Sequence, residues 1–290
     1  MSSDSPFARP GFLTRPVDYG ALAGHSIGLT GSRGVLGGIL TARLQQHGVA
    51  VQAYPGNIND EAALGSWFGA HRFSQFFHFA AQVPVSQVEG NPLQAYQTNV
   101  IGTFNICRQL QLTQPDCWLF HCSSSHVYQA GATTARIDEQ APLQPQTYYG
   151  VTKLAAERVV QDLLGKLGAR YCIGRVFSFS HRRQPEPYLV PTLRRRIAEL
   201  ADGATLTVVN PSAIRDMQDA ETVIDSVLQL AARRASGIVN IGSGHGMSVR
   251  EIALAVARQL GKTISVTGTD RDAASSLIAD TRRLQELIGT

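Results

Sequence analysis

The sequence runs to 290 residues, 43% of them hydrophobic, with a formal net charge of +4. That is enough chain for one large domain or a domain with an appended lobe, and the apolar share is ordinary for a globular protein. No stretch approaches the roughly eighteen apolar residues of a membrane span. The arginine groups (Arg182-Arg183, Arg194-Arg195-Arg196, Arg233-Arg234, Arg282-Arg283) are scattered, without a polybasic tail, so the expected partner is an anionic small molecule and neither a membrane nor a nucleic acid.

Residues 1–25 mix Pro, Ser, Gly and scattered charge without an apolar h-region, and read as a flexible leader, not a secretory signal. The four cysteines, Cys107, Cys117, Cys122 and Cys172, lack metal-ligand spacing and sit in apolar segments. They are expected as buried thiols of a reducing, cytoplasmic compartment, with no metal site.

The first strand candidate is Ser26 to Thr30. Gly31-Ser-Arg-Gly34-Val-Leu-Gly37 follows, then an amphipathic helix to about His47. Strand, glycine-rich turn and helix in that order are the context of a dinucleotide fingerprint, because glycines let the backbone approach a pyrophosphate and a helix N-terminus favours its charge. A plain tight turn would read the same way. The next strand, Val49 to Ala53, ends in Tyr54-Pro55-Gly56. An acid that binds a ribose 2′-hydroxyl is normal there, and none is present. Arg33 inside the glycine loop could instead meet a 2′-phosphate, or be a solvated loop charge. The link from Ala53 to a helix starting near Asp60 is too short for a crossover helix and another strand, so the sheet edge is expected to be truncated.

Gln75-Phe-Phe-His78-Phe79-Ala80-Ala81 reads as a buried strand ending in small residues, with His78 a packed core histidine. A long helix is expected from about Pro92, containing Asn99-Val-Ile-Gly-Thr103. The strand from Asp116 to Cys122 discharges into Ser123-Ser124-Ser125-His126-Val127-Tyr128, hydroxyls placed where open α/β sheets bind ligands or else a serine-stabilised turn. In Tyr148-Tyr149-Gly150-Val151-Thr152-Lys153, which opens a helix, Tyr149 and Lys153 are four apart and share a face. An ammonium beside a phenol favours the phenolate, which would yield an acid/base for a sugar or alcohol oxygen.

Beyond Ser178 the elements become short and mixed. A loop over 181–187 precedes a basic helix from Tyr188 to Leu200, where one of Arg194, Arg195 and Arg196 could reach the cleft. Thr205–Val209 is read as a strand, Glu221–Arg233 a helix, Ile238–Ile241 a strand and Ser248–Leu260 a helix. Ser248 with Glu251 fits a capping box. Alternating strands and helices predict an α/β fold with a parallel sheet.

Taken in order and spacing, Thr30-Gly-x-x-Gly-x-x-Gly37, His78-x-Ala-Ala81, Asn99-Val-x-Gly-Thr103, Ser123-Ser-Ser-x-Val-Tyr128, Tyr149-x-x-x-Lys153, Arg175-Val-Phe-Ser178, Arg215-Asp216, Asn240-Ile-Gly-Ser-Gly244 and Ala279-Asp-Thr281 make the chain resemble the extended short-chain dehydrogenase/reductase family, in particular its NAD-dependent epimerase/dehydratase branch acting on nucleotide sugars. The resemblance covers about Ile27 to Gly289. It implies a Rossmann-like doubly wound parallel sheet, a dinucleotide-binding domain over 26–177 and a small substrate-binding lobe over 178–290, with chain exchange between the two. It implies Tyr149 as acid/base, Lys153 as its pKa-lowering partner and ribose ligand, and Ser124 as hydrogen-bond donor to the reacting oxygen. The cofactor would meet Gly31, Arg33, Gly34, Val35, Leu36, Gly37, Asn57, Ile58, Phe79, Ala80, Ala81 and Asn99. Phe177, Ser124, Ser125, Ser178 and Arg215 would face the sugar nucleotide, Arg215 clamping a phosphate through its planar fork. A homodimer is implied through the helix after Asn91 and the helix bearing Tyr149.

The departures are informative. Pro55 holds the place of the strand-end acid, Asn57 stands where the family has an aspartate near adenine, and Ser178 where it has an asparagine. The family's 4,6-dehydratases carry acids beside the catalytic hydroxyl; here Ser125 and His126 argue against dehydration. Three readings follow: a reductase of a 4-keto nucleotide sugar, a 4-epimerase with bound NAD, and a non-catalytic cofactor-binding sensor or structural subunit. Arg33 and the missing acid favour NADP(H), with NAD as the alternative.

Overall fold

The computed structural model describes residues 6–7, 15–131, 134–168, 170–270 and 275–289. Helix α1 (Tyr19–Ala23) precedes β1 (Ile27–Thr30), α2 (Val35–Gln46), β2 (Val51–Ala53), α3 (Glu61–Ala70) and β3 (Gln75–His78). Next come α4 (Val85–Gly90), α5 (Pro92–Tyr96), α6 (Gly102–Thr113), β4 (Trp118–Ser124), α7 (Tyr148–Leu164) and β5 (Tyr171–Val176). The remainder holds β6 (Ser178–Ser180), α8 (Leu189–Ala198), β7 (Thr205–Val209), β8 (Ile214–Asp219), α9 (Ala220–Ala232), β9 (Gly237–Ile241), β10 (Gly246–Ser248), α10 (Val249–Gln259), β11 (Ser265–Thr269), β12 (Ser276–Leu277) and α11 (Arg282–Ile288).

Strands β2, β1, β3, β4, β5 and β9 form one parallel sheet in that order. Every residue of β1 and β3 is buried, as parallel strands covered on both faces require. On one face α2 and α9 pack Leu36, Leu40, Ile224 and Leu228 against Phe77, Trp118 and Phe120. On the other, Phe68, Phe76, Ile106 and Val160 join α3, α6 and α7 to the sheet. Full burial of each such side chain contributes about 1.5–3 kcal/mol. This is the expected doubly wound, Rossmann-like architecture. The chain leaves β1 towards β2 on one side and β3 on the other, and ligands bind at such a reversal, outside the carboxyl ends of the strands.

The edge beyond β2 is truncated as expected. From Ala53 the chain runs directly to α3, which Asp60 caps by accepting the Ala63 N–H at 3.0 Å.

One expectation is corrected and one refined. The segment ahead of β1 is not wholly a loose leader. Asp18 caps α1 through the Ala21 N–H, Leu22 is fully buried in the main core, and Gln229 of α9 donates to the Arg15 carbonyl at 3.1 Å. Phe7 is also buried, in the second-half core; residues 1–5 and 8–14 of the expected leader lie outside the described residues. The long helix expected from Pro92 runs to Thr113 and carries a π-helical turn within it. Between α5 and α6, residues Gln97–Ile101 form that turn, a feature often found at functional sites.

In the second half β8 is the hub, pairing antiparallel with β10 and parallel with β12 and β6. Strands β7 and β11 pair in parallel, beneath α8 and α10, which share a separate core of Leu193, Ile197, Ile252 and Val256. The capping box of α10 is present, with Glu251 and Ser248 bonded reciprocally. The chain returns to the main sheet through α9, β9 and α11, and both α1 and α11 pack on α9.

Candidate active site

The glycine loop lies at the reversal point, and its glycines are there for space. Gly31 has φ +81, and a Cβ on it would stand 2.6 Å from the Ala80 backbone nitrogen; one on Gly37 would meet the Gly31 carbonyl at 2.3 Å. The loop after β1 therefore lies against Phe79 and Ala80 after β3, the Phe79 N–H donating to the Thr30 carbonyl at 3.2 Å. Gly34 begins α2 with no side-chain cap, so the first-turn N–H groups, those of Val35, Leu36 and Gly37, have no helical acceptor. Together they form an anion cradle that fits a dinucleotide pyrophosphate. The Leu36 side chain itself packs into the core, which leaves only its backbone for a ligand. Arg33 is exposed on this loop. The sequence reading missed Arg183, whose guanidinium, arriving from the loop after β6, lies 3.4 Å from where a Gly38 Cβ would be.

Asn57 and Ile58 divide. The Asn57 side chain accepts the Asn59 N–H at 3.0 Å on the surface. Ile58 is a core residue packed against Gly102, and its carbonyl accepts from Asn105 at 3.0 Å. The aromatic core claims the Ile58 side chain, which leaves only its backbone for the expected cofactor contact.

Helix α7 starts at Thr147, whose hydroxyl accepts the Gly150 N–H at 3.1 Å. Gly150 permits the close approach to β4, since a Cβ there would lie 2.2 Å from the His126 carbonyl. That approach brings Tyr149 close enough to Ser124 for the hydroxyl to act on the phenol, with the His126 ring edge-on at 5.5 Å. Burial pushes the Tyr149 phenol up, Cys122 and Tyr188 add to this, and the Ser124 hydroxyl opposes it. The expected lowering by Lys153 is not among the influences on the phenol here, where burial dominates and raises it. Lys153, 3% exposed, has its own pKa pushed down by burial, against the pull of Cys122 and Glu157. It makes no hydrogen bond to a described residue, so its ammonium is free for a ligand hydroxyl.

Asn99, in the π-helical turn, binds the loop after β3 to α7. Its Oδ1 accepts the Gln82 N–H at 2.6 Å, and its Nδ2 donates to the Gln82 carbonyl at 3.3 Å and to Thr152 at 3.0 Å. Thr152 in turn donates to the Tyr149 carbonyl at 2.8 Å. The Asn99 side chain is thus spent on positioning. Ala81 lies in the same loop. His78 is the expected core histidine, held by Thr30 at 2.7 Å and Thr103 at 3.0 Å. Burial and then Lys153 lower its pKa to about 3.

On the substrate side, Ser125 is buried in a 3₁₀ turn behind Ser124. Ser178 is half-buried on β6. Arg215 anchors Nη1 on the carbonyls of Ile214 at 2.8 Å and Ser275 at 3.0 Å, leaving the rest of its fork. Its charge reaches His126, whose pKa burial and then Arg215 lower to about 4. Arg194, Arg195 and Arg196 are all tied on the surface, to Gln259, to Glu186 and Glu199, and to the Thr207 carbonyl, so none reaches the cleft. Tyr188, acting on Tyr149 from the start of α8, was hidden in the sequence because nothing in its spacing ties it to Tyr149. Among the described residues no cluster of ligands fits a metal ion.

A parallel sheet with a glycine cradle at its reversal point, and Ser, Tyr and Lys gathered at a strand end, defines an enzyme of the extended short-chain dehydrogenase/reductase class with a nicotinamide cofactor. Comparison narrows this: the family model described as "GDP-mannose 4,6 dehydratase" matches residues 35–286, and the chain belongs to that family. It is similar to a UDP-glucose 4-epimerase of Halalkalibacterium halodurans, 28% identical over 268 residues, 82% of this chain and 77% of the relative. It is also similar to a GDP-6-deoxy-D-mannose reductase of Pseudomonas aeruginosa, 28% identical over 180 residues, 60% of this chain and 59% of the relative. Among solved structures, RMD from Pseudomonas aeruginosa complexed with NADPH superposes with a TM-score of 0.80 at 23% identity, covering 91% of this chain and 92% of that one.

Proposed function

We propose that this enzyme reduces a 4-keto nucleotide sugar with NADPH. A nicotinamide supplies the hydride. Tyr149 donates the proton to the carbonyl oxygen, and Ser124 holds that oxygen where charge develops. Lys153 binds the nicotinamide ribose and places positive charge beside the phenol, and Arg215 pairs with a substrate phosphate.

The observation that carries the reading is the end of β2, which offers no carboxylate to a ribose 2′-hydroxyl. Burial raises the Tyr149 phenol, towards the protonated form that gives up a proton during reduction. Ser125 and the neutral His126 offer no carboxylate beside Ser124, which speaks against dehydration. The preference for NADPH is supported by the end of β2, where Pro55 stands and the nearest carboxylate, Asp60, is committed to capping α3, and by the exposed cations Arg33 and Arg183. The Asn57 backbone would carry the adenine side. Four free cysteines suit a cytoplasmic setting. A homodimer is supported by the exposed Leu93, Ile101, Leu112 and Tyr148 on neighbouring helical elements α5 to α7.

The test is to purify the protein, identify any cofactor released on denaturation, and follow NADPH oxidation with a 4-keto nucleotide sugar. Turnover of the ketone with NADPH in large preference to NADH is expected. Tightly held NAD with inversion at C4 of a nucleotide hexose would replace this reading by the epimerase.

A further inference from the structure

Glu157 lies four residues beyond Lys153 on α7, one turn along the same face, and is 1% exposed. A carboxylate taken out of water needs hydrogen-bonded partners. Arg175 supplies Nε at 3.0 and 3.2 Å and Nη2 at 2.7 Å, and the Ser123 hydroxyl donates at 2.5 Å. Arg175 then gives Nη1 to the Tyr128 hydroxyl at 2.8 Å and the Glu139 carbonyl at 3.2 Å, and Tyr128 donates to Asn240 at 2.7 Å. One network thus ties α7 to β4, β5 and β9. Ser123, its foothold on β4, is the residue before Ser124.

Against burial, Cys122 and then the Glu157 carboxylate raise the Lys153 pKa. The groups facing this lysine are His78 of β3, His121 and Cys122 of β4, and Tyr149 and Glu157 of its own helix. Burial leaves both histidines, the thiol and the phenol uncharged at neutral pH. The Glu157 carboxylate is then the one anion among them.

We propose that Glu157 is a positioning residue of the site: its carboxylate keeps Lys153 an ammonium despite burial, and its network fixes the helix of Tyr149 and Lys153 against the strand ending in Ser124. The inference takes Lys153 as the lysine of the proposed site.

The chain contains three lysines, Lys153, Lys166 and Lys262, so protein labelled with ¹³C at the lysine ε-carbon gives three NMR titrations, assigned by Lys166→Arg and Lys262→Arg. In Glu157→Gln the Lys153 midpoint is expected to fall by about one pH unit or more, with exposed Lys166 unmoved, and Glu157→Asp should restore most of the shift. Turnover by Glu157→Gln should fall about tenfold and lose further ground as pH rises, with a smaller effect on KM. Where Glu157→Gln fails to fold because Arg175 is left buried without a counter-charge, Glu157→Gln/Arg175→Gln removes both charges and is read the same way. An unchanged Lys153 midpoint in either folded variant overturns the proposal. The titration needs no substrate, so inactivity of the unaltered enzyme towards nucleotide sugars would overturn the functional reading and leave this one standing.

Discussion

Of two adjacent tyrosines, only one meets the strand end. Tyr149 lies within reach of Ser124, whereas Tyr148 is 52% exposed. Replacing Tyr149 with Phe removes one oxygen and keeps the ring, so turnover should drop about a hundredfold or more, the scale of a positioned acid, with the fold intact by circular dichroism. Tyr148→Phe should stay near the parent value. Equal losses in both variants would mean that the proton donor has been misplaced. The Tyr149–Lys153 pair was legible from spacing alone. Its electrostatics were not, because desolvation depends on what covers a residue, and Tyr188 and Cys122 come from distant parts of the chain.

At the scale of elements, the tightest joint is the crossing of α2 over the glycine loop. A Cβ on Gly37 would stand 2.3 Å from the Gly31 carbonyl, and backbone cannot move aside as a side chain can. Gly37→Ala should therefore raise the cofactor dissociation constant by tenfold or more and cost roughly 1–3 kcal/mol of stability, as overpacking does; fluorescence titration with NADPH and urea unfolding would measure the two effects. Gly48 has open space around it, and its φ of +71 makes its replacement a matter of backbone strain alone. The strands of the main sheet were readable from their continuous apolar runs, and α7 and α10 from their caps. The π-helical turn inside the helix after Pro92 was not, because it answers to Asn99 bridging Gln82 and Thr152, a long-range demand that leaves the local periodicity unchanged. The same holds for α1, whose short sequence carries one buried leucine and whose reason to fold lies on α9.

For the whole molecule, two outcomes follow from burial. His78, His121 and His126 are all held below the ordinary histidine pKa, chiefly by burial, His78 to about 3 and His126 to about 4. Unfolded histidines take up a proton near pH 6.5. The stability they contribute is therefore complete above about pH 6.5 and is lost as pH falls towards the folded values, at about 1.4 kcal/mol per pH unit for each. Urea unfolding should show a clearly lower midpoint at pH 5 than at pH 7, and equal midpoints would mean that the histidines charge without unfolding. The apolar face of Leu93, Ile101, Leu112 and Tyr148 should make the protein sediment as a dimer at micromolar concentration, and charged replacements at Leu93 and Ile101 should yield monomers. Helix α9 has a consequence of another kind. It receives α1 and α11 together, and the Arg15 guanidinium lies 3.2 Å from where a Gly289 Cβ would be. In space the stretch from residue 15 to residue 289 nearly closes on itself, with its seam on one helix. A short flexible linker joining residue 289 to residue 15, with new ends opened in the surface turn at Gly48, should give a circularly permuted enzyme that still folds and turns over. For such a molecule the order of elements along the chain would be a convention, and the packing around α9 would be what defines the fold.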